Sequence, residues 1–118
     1  MSSIAVLVVE DEALLRMSIV DALLDAGFQA LEADNAHAAL DLLNSNDQIR
    51  AVFTDVDMPG SIDGLMLARL VRDRWPPIKI IVTSGHRSLN SEALPVEGRF
   101  FGKPYATDDV IASIRDML

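Results

Sequence analysis

The chain has 118 residues, no cysteine and a formal net charge of −8, from 10 Lys and Arg against 18 Asp and Glu. This length suits a single domain over residues 1–118, and a 50% apolar composition excludes a disordered chain. The missing cysteines exclude disulfides, thiolate metal sites and thiol catalysis, and the negative charge argues against binding nucleic acid through its phosphates. The apolar runs are too short to span a bilayer, and the start lacks the basic region of a signal peptide. We therefore expect a cytoplasmic domain.

Short apolar runs alternate along the chain with stretches of helical periodicity. Residues 4–9 form an unbroken apolar run, which is typical of a central parallel strand. Residues 12–26 then predict a helix that ends at Gly27 and turns Arg16 away from its apolar face. The pattern predicts these later elements: strand 28–33, helix 36–44 capped by Asn35, strand 51–54, helix 64–75, strand 79–84, strand 99–102, and a last helix capped by Thr107 and running to Leu118.

The segment 86–98 is the least regular part of the pattern. Residues 91–94 suffice for one helical turn, but Pro95 and Gly98 limit it, so we predict a short or irregular fourth helix. Five strands alternating with helices predict right-handed βαβ units and one doubly wound α/β sheet. Ligands of such sheets bind beyond the carboxyl ends of the strands, so the residues at these ends are the candidates for function.

Charged and hydroxyl residues follow four of the five predicted strands. These strands end, in chain order, in Glu10-Asp11-Glu12, in Asp55 with Asp57 two residues on, in Thr83-Ser84-Gly85 and in Lys103-Pro104. Clustered carboxylates repel one another unless a cation lies among them, and oxygen ligands without His or Cys suit Mg²⁺ or Mn²⁺. We expect Asp11 and Asp55 to bind the ion directly and Glu10 to reach it or its water. The backbone carbonyl of Asp57 would complete the site.

Lys103 and Thr83 carry the groups that bind phosphate, an ammonium and a hydroxyl donor. Lys79 and Lys103 are the only lysines in the sequence, and only Lys103 lies at the end of a strand and precedes a proline. A carboxylate flanked by a metal ion, a lysine and a hydroxyl can act as a nucleophile toward phosphorus. The natural interpretation is that Asp55 becomes phosphorylated.

Four stretches, in this order and each at a strand end, form a signature: Val8-Val9-Glu10-Asp11-Glu12, Asp55-Val56-Asp57-Met58-Pro59-Gly60, Thr83-Ser84-Gly85 and Lys103-Pro104-Tyr105. Over residues 4–118 the chain resembles the CheY-like receiver domains of two-component response regulators. The resemblance implies a five-stranded parallel sheet of order 2-1-3-4-5 flanked by five helices. It also makes a cis bond between Lys103 and Pro104 plausible.

The resemblance implies a role for each candidate residue. Glu10 and Asp11 would be the acidic pair for the metal, and Asp55 would be the phosphoacceptor and a metal ligand. Asp57 would lend its main-chain carbonyl to the ion. The remaining implied roles are the switch hydroxyl, the phosphate-binding lysine and the switch aromatic, which fall on Thr83, Lys103 and Phe100.

Partners and cofactors also follow from the resemblance. Family members receive the phosphoryl group from a histidine kinase or a histidine phosphotransfer protein, or slowly from small phosphodonors, with Mg²⁺ or Mn²⁺ as cofactor. The receiver then controls an output domain or a target protein, and helix 1 is the expected docking side for the kinase. We expect a phosphoacceptor that assists its own phosphorylation and dephosphorylation rather than an enzyme, with no direct nucleic acid binding and no membrane insertion.

Two departures from the family and two alternatives accompany this interpretation. The segment between Thr83 and Phe100 is shorter than usual, and the small Gly85 would open the site to water and shorten the phosphoryl lifetime. Asp55-Val56-Asp57 also resembles the Asp-x-Asp of haloacid-dehalogenase-like phosphatases, which place it on their first strand. A Toprim-like metal fold also uses Asp-x-Asp, but it needs neither Thr83 nor Lys103.

Overall fold

A computed structural model describes residues 4–58, 60, 62–85 and 98–118, in which strands and helices alternate along the chain. In chain order the elements are β1 (Ala5–Val9), α1 (Ala13–Asp25), β2 (Gln29–Ala33), α2 (Ala36–Ser45), β3 (Ile49–Asp55), α3 (Gly64–Arg74), β4 (Lys79–Ser84), β5 (Arg99–Gly102) and α4 (Thr107–Met117). The predicted short helix within 86–98 falls almost wholly on residues 86–97, which lie outside the described part. No helix of the described ranges is long and apolar enough to cross a membrane.

The strands form one parallel sheet of order β2-β1-β3-β4-β5, which confirms the predicted fold class and strand order. Helices α1, α2 and α3 connect β1 to β2, β2 to β3 and β3 to β4. All paired strands are parallel, so the carboxyl ends of the strands meet at one edge. Val9 lies opposite Thr54 across the β1–β3 pair, and Asp55 lies opposite Thr83 across the β3–β4 pair. This register brings the residues that follow β1, β3 and β4 together at that edge.

Both faces of the sheet are covered, which explains the unbroken apolar strands. Successive side chains of a strand point to opposite faces. Leu7 and Val9 accordingly pack in a cluster with buried residues of α2 and α3, and Val6 and Val8 pack in a second cluster with α1 and α4. Two apolar layers therefore hold the strands whose ends carry the polar residues.

Caps and strand ends differ from the prediction at single residues. Asn35 caps α2 as predicted, because its side chain accepts a hydrogen bond from the Ala38 amide at 2.8 Å. The prediction that Thr107 caps the last helix was wrong. Ala106 holds the cap position, and its carbonyl accepts hydrogen bonds from the amides of Asp109 and Val110. The strand predicted over 51–54 extends back to Ile49, because the exposed Arg50 interrupts the apolar run without ending the strand.

Candidate functional site

A lysine bridges two buried carboxylates at the carboxyl edge of the sheet. Lys103 Nζ lies 3.1 Å from Glu10 Oε1 and 3.1 Å from Asp55 Oδ2. The lysine follows β5, and its amide donates to the Ser84 carbonyl at 2.9 Å, which ties it to the end of β4. The Lys103–Pro104 peptide is cis. Three strands therefore contribute to one cluster of charges, as the sequence predicted.

Glu10, Asp11 and Asp55 together offer the donor set of a hard cation. Each presents one carboxylate oxygen, and these three atoms lie within 4.8 Å of one another. Glu10 and Asp55 are buried while Asp11 is exposed, so an ion at this place would be reached from solvent on one side. Oxygen-only ligands with one open side fit an ion such as Mg²⁺, which keeps several waters. The acidic cluster is thus able to bind a metal ion.

The pKa values of Glu10 and Lys103 are both raised, but for different reasons. Burial raises the pKa of Glu10 to about 7, and the nearby Asp55 charge also raises it, although the Glu12 amide and Lys103 oppose the shift. Burial alone would lower the pKa of Lys103, but hydrogen bonds to Asp55 and Glu10 raise it above its usual value. Lys103 is therefore held charged, and Glu10 carries an unfavourable charge that a cation would stabilise.

Backbone contacts fix the place of Asp55. The next amide, of Val56, donates to the Thr83 carbonyl at 2.9 Å, and the Asp57 amide donates to Asp55 Oδ1 at 3.2 Å. Gly64, the first residue of α3, packs so closely that an added Cβ would overlap the Asp55 carbonyl and lie 2.8 Å from Val56 Cα. Only glycine fits there without a shift, and no local sequence pattern singles this residue out.

Thr83 places a buried hydroxyl on β4, directly opposite Asp55 in the β3–β4 pair. Thr83 is fully buried, and its Oγ1 has no hydrogen-bond partner among the described residues. An unpaired buried hydroxyl is costly, so a ligand that accepts from it would be favoured. Next to it, Ser84 Oγ donates to Asp57 Oδ2 at 3.2 Å. The Asp57 side chain is thus engaged with β4, and the role of its main-chain carbonyl stays a prediction.

Two aromatic residues flank the lysine. Phe100 is on β5 and lies opposite Val82 of β4. Its side chain is half-buried against the cluster that contains residues of α2 and α3. Tyr105 packs edge-on against Phe53, with ring centroids 5.7 Å apart. Burial raises the pKa of Tyr105 to about 12. The switch role of Phe100 stays a prediction.

Arg16 makes two polar contacts that the sequence pattern did not predict. The helical period turned it away from the apolar face, yet its side chain is only 19% exposed. Its Nη1 donates to the Glu10 carbonyl at 2.7 Å, and its Nε lies 3.1 Å from Glu32 Oε1. A basic residue one turn after an acidic loop was the available signal, because a long side chain can fold back over the helix start.

The model of the response regulator receiver domain family matches residues 6–115. A putative NtrX-like response regulator of Rickettsia felis is 31% identical over 119 residues, covering 98% of this chain and 25% of that protein. The chain thus spans about a quarter of the length of the first curated relatives that it matches.

Solved structures agree with the family match. A response regulator receiver protein from Sinorhizobium medicae superimposes with a TM-score of 0.90 at 26% identity, covering 98% of this chain and 94% of that one. The response regulator TrrA from Thermotoga maritima, solved in complex with Mg(2+)-BeF, superimposes with a TM-score of 0.83 at 27% identity, covering 98% and 99%. These neighbours share the fold over nearly the whole chain.

Proposed function

The chain belongs to the response regulator receiver domain family of two-component signalling, and from that premise we propose that Asp55 accepts a phosphoryl group. The donor is the phosphohistidine of a histidine kinase or of a histidine phosphotransfer protein. One observation carries the proposal: Lys103 Nζ lies 3.1 Å from the buried Asp55 carboxylate and ties it to Glu10. The match over residues 6–115 argues against the phosphatase and Toprim-like alternatives.

The metal cofactor in this proposal is Mg²⁺, with Mn²⁺ as its substitute. Glu10, Asp11 and Asp55 would hold it, and the Asp57 carbonyl would complete the set. When bound, the ion neutralises charge on the phosphoryl oxygens and on the acidic residues. The oxygen-only donor set supports this assignment, as does the Mg(2+)-BeF complex of the TrrA neighbour.

The transfer step uses residues that are already in place. A carboxylate oxygen of Asp55 attacks phosphorus, the P–N bond to the donor histidine breaks, and its electron pair stays on the imidazole nitrogen. Lys103 contacts Asp55 before the reaction and can then pair with a phosphoryl oxygen. The chain acts as an acceptor that assists its own phosphorylation and later hydrolysis, and not as an enzyme on an external substrate.

The readout of phosphorylation would begin at the unpaired hydroxyl. Thr83 Oγ1 has no partner in the described part of the chain, and an acyl phosphate on Asp55 adds acceptor oxygens across the β3–β4 pair. Movement of Thr83 toward them would free space beside β4 for the half-buried Phe100. The surface over β4 and β5 would then control an output domain or a target protein in the cytoplasm.

Small phosphodonors test the proposal directly. We would incubate the chain with acetyl phosphate or phosphoramidate, with and without Mg²⁺, and record the intact mass. We expect a gain of one phosphoryl group that needs Mg²⁺ and is lost in Asp55→Asn. Asp41→Asn is the matched control, because Asp41 is an exposed aspartate on α2. Equal labelling of Asp55→Asn and wild type, or no labelling by either donor, would contradict the proposal.

A further inference from the structure

Arg16 makes a contact with the acidic loop to which the function above assigns no role. It lies in the first turn of α1, and its guanidinium reaches back to the Glu10 carbonyl at 2.7 Å. We propose that Arg16 is a positioning residue that orients the Glu10–Asp11 peptide and so aims the Asp11 carboxylate at the metal site. The inference rests on the proposed function, since it concerns the affinity of that site for Mg²⁺.

Glu10 is held from both sides of its backbone. Its amide donates to the Ala33 carbonyl of β2 at 3.0 Å, and its carbonyl accepts from Arg16 Nη1. The carbonyl belongs to the peptide unit that joins Glu10 to Asp11, and this unit is planar. Fixing the direction of the carbonyl therefore fixes the point from which the exposed Asp11 leaves the buried strand.

Arg16 is itself anchored at two further points. Its amide donates to the Glu12 carbonyl at 3.0 Å, which sets the first turn of α1. Its Nε contacts Glu32 Oε1 at 3.1 Å, and Glu32 lies opposite Val8 in the β1–β2 register. The guanidinium thus spans from the end of β1 to the side chain of the neighbouring strand.

The geometry calls for arginine rather than any cation. Two nitrogens of the same rigid plane donate in two directions, one to a neutral carbonyl and one to a carboxylate. A lysine offers one ammonium on a flexible stem and cannot keep both directions fixed. The side chain is also largely covered, so water screens the carbonyl contact less than it screens the half-exposed Glu32 partner.

Two explanations of Arg16 differ in what they predict for Mg²⁺. If Arg16 only adds an ion pair with Glu32, removing either partner has the same small effect on stability and leaves metal affinity unchanged. If Arg16 orients the peptide of Glu10 and Asp11, removing Arg16 weakens Mg²⁺ binding, while removing the Glu32 charge leaves the carbonyl contact in place. Metal affinity in matched variants therefore separates them.

The experiment is titration calorimetry of Mg²⁺ into the full chain, with thermal melts to show that each variant is folded. We expect Arg16→Gln to weaken the Mg²⁺ Kd by about 10-fold, the lower end of what loss of a residue that supports a metal ligand costs. Arg16→Lys should lose less Mg²⁺ affinity, since its single ammonium can still donate to the Glu10 carbonyl. The Mg²⁺ Kd of Glu32→Gln should stay within about twofold of the wild-type value, since this substitution spares the contact between Arg16 and the Glu10 carbonyl that is expected to set metal affinity. The remote control is Arg72→Gln, because Arg72 pairs with Asp73 on the exposed surface of α3.

A kinetic readout accompanies the binding data. In labelling by acetyl phosphate, the Mg²⁺ concentration for half-maximal rate should rise in Arg16→Gln in step with the Kd. The rate at saturating Mg²⁺ should stay near that of wild type, because Arg16 does not contact the reacting atoms. A purely structural loss would instead lower the amount of folded protein without moving the Mg²⁺ dependence.

Each outcome decides the inference. An unchanged Kd in folded Arg16→Gln or, if that variant does not fold, in Arg16→Met, which keeps an unbranched stem but has no donor for the carbonyl, overturns it. Equally weakened Mg²⁺ binding in Arg16→Gln and Glu32→Gln also overturns the inference, since loss of the Arg16–Glu32 ion pair would then be the cause. If wild type binds no Mg²⁺, the inference and the metal assignment fail together. If wild type binds Mg²⁺ but accepts no phosphoryl group, the phosphoacceptor proposal fails while the Kd values still judge Arg16.

Discussion

The middle and the carboxyl ends of the same strands are built on opposite principles. In the middle, Val6, Leu7 and Phe53 are buried among apolar residues of the flanking helices. At the ends, Glu10 and Asp55 are equally buried, but they face each other and one lysine. The middle gains free energy from burial, whereas the ends bury charges that would be more stable in water. Residues that stabilise the fold and candidate functional residues therefore lie in adjacent stretches of the same strands.

Phe53→Ala should have the largest effect, because it removes a fully buried ring from the apolar middle of β3. Phe53 is 1% exposed and packs against the Tyr105 ring at 5.7 Å. Truncating such a ring costs about 3–5 kcal/mol in unfolding free energy. Urea unfolding followed by circular dichroism measures this loss.

Phe100→Ala is the matched control for the Phe53 variant. Phe100 is half-buried on the edge strand β5, so its truncation should cost clearly less than that of Phe53. A loss below about 1 kcal/mol for Phe53→Ala, well under the usual range for a buried ring, would show that the middle of the sheet does not carry the stability.

Gly64→Ala tests the junction between the two regions. An added Cβ would overlap the Asp55 carbonyl, so either α3 or the end of β3 must shift. Overpacking of this kind costs about 1–3 kcal/mol. We expect lower stability in urea unfolding together with slower labelling of Asp55 by acetyl phosphate at saturating Mg²⁺.

A second glycine serves as the control for that substitution. Beyond its chain neighbours, no atom of the described residues lies within 4 Å of a Cβ added at Gly85, which follows β4, so Gly85→Ala should cost little stability. Wild-type stability and wild-type labelling rate in Gly64→Ala would contradict the close approach at Asp55.

Glu10→Gln should have an effect of opposite sign, because it should stabilise the metal-free protein. Burial raises the pKa of Glu10 to about 7 from an ordinary value of about 4.5. A raised carboxyl pKa means that the folded state binds the proton more tightly than the unfolded state does. The resulting contribution of Glu10 to the free energy of unfolding is full below pH 4.5 and is lost as the pH rises through 7. Glutamine carries no charge, so the variant should exceed wild type by about 1–3 kcal/mol at pH 8 and by little at pH 4.5.

Thermal melts in EDTA across this pH range measure the difference between Glu10→Gln and wild type. Adding Mg²⁺ should remove the advantage of the variant, because the ion stabilises only a chain that can bind it. Asp41→Asn, on the exposed face of α2, should follow wild type at every pH. A difference between Glu10→Gln and wild type that shrinks as the pH rises would contradict the buried charge.

Sequence patterns predicted the features that depend on order along the chain. The unbroken apolar run of β1 predicted a strand covered on both faces, and polar residues after Val9, Thr54 and Gly102 predicted the edge at which Glu10, Asp55 and Lys103 meet. These predictions succeed because a parallel sheet brings the carboxyl ends of all its strands to one edge.

The contacts that sequence patterns missed depend on distances between elements. Helical periodicity assigns a direction to the Arg16 backbone, but the long side chain folds back to the Glu10 carbonyl. The need for glycine at position 64 arises from how closely α3 approaches Asp55, which no local pattern encodes. Thr107 has the chemistry of a cap, but α4 begins there and leaves Ala106 at the cap position.

If the buried charges at the carboxyl edge make Asp55 the phosphoacceptor, chemical trapping should find the modification at this residue. Borohydride reduces an acyl phosphate to an alcohol, so it marks the modified aspartate permanently in the chain. We would treat the Mg²⁺-loaded protein with acetyl phosphate, reduce it and map the peptides by mass spectrometry, with an EDTA sample as control. We expect reduction at Asp55 alone and none in EDTA. Reduction at Asp11 or Asp57 with Asp55 intact would contradict it.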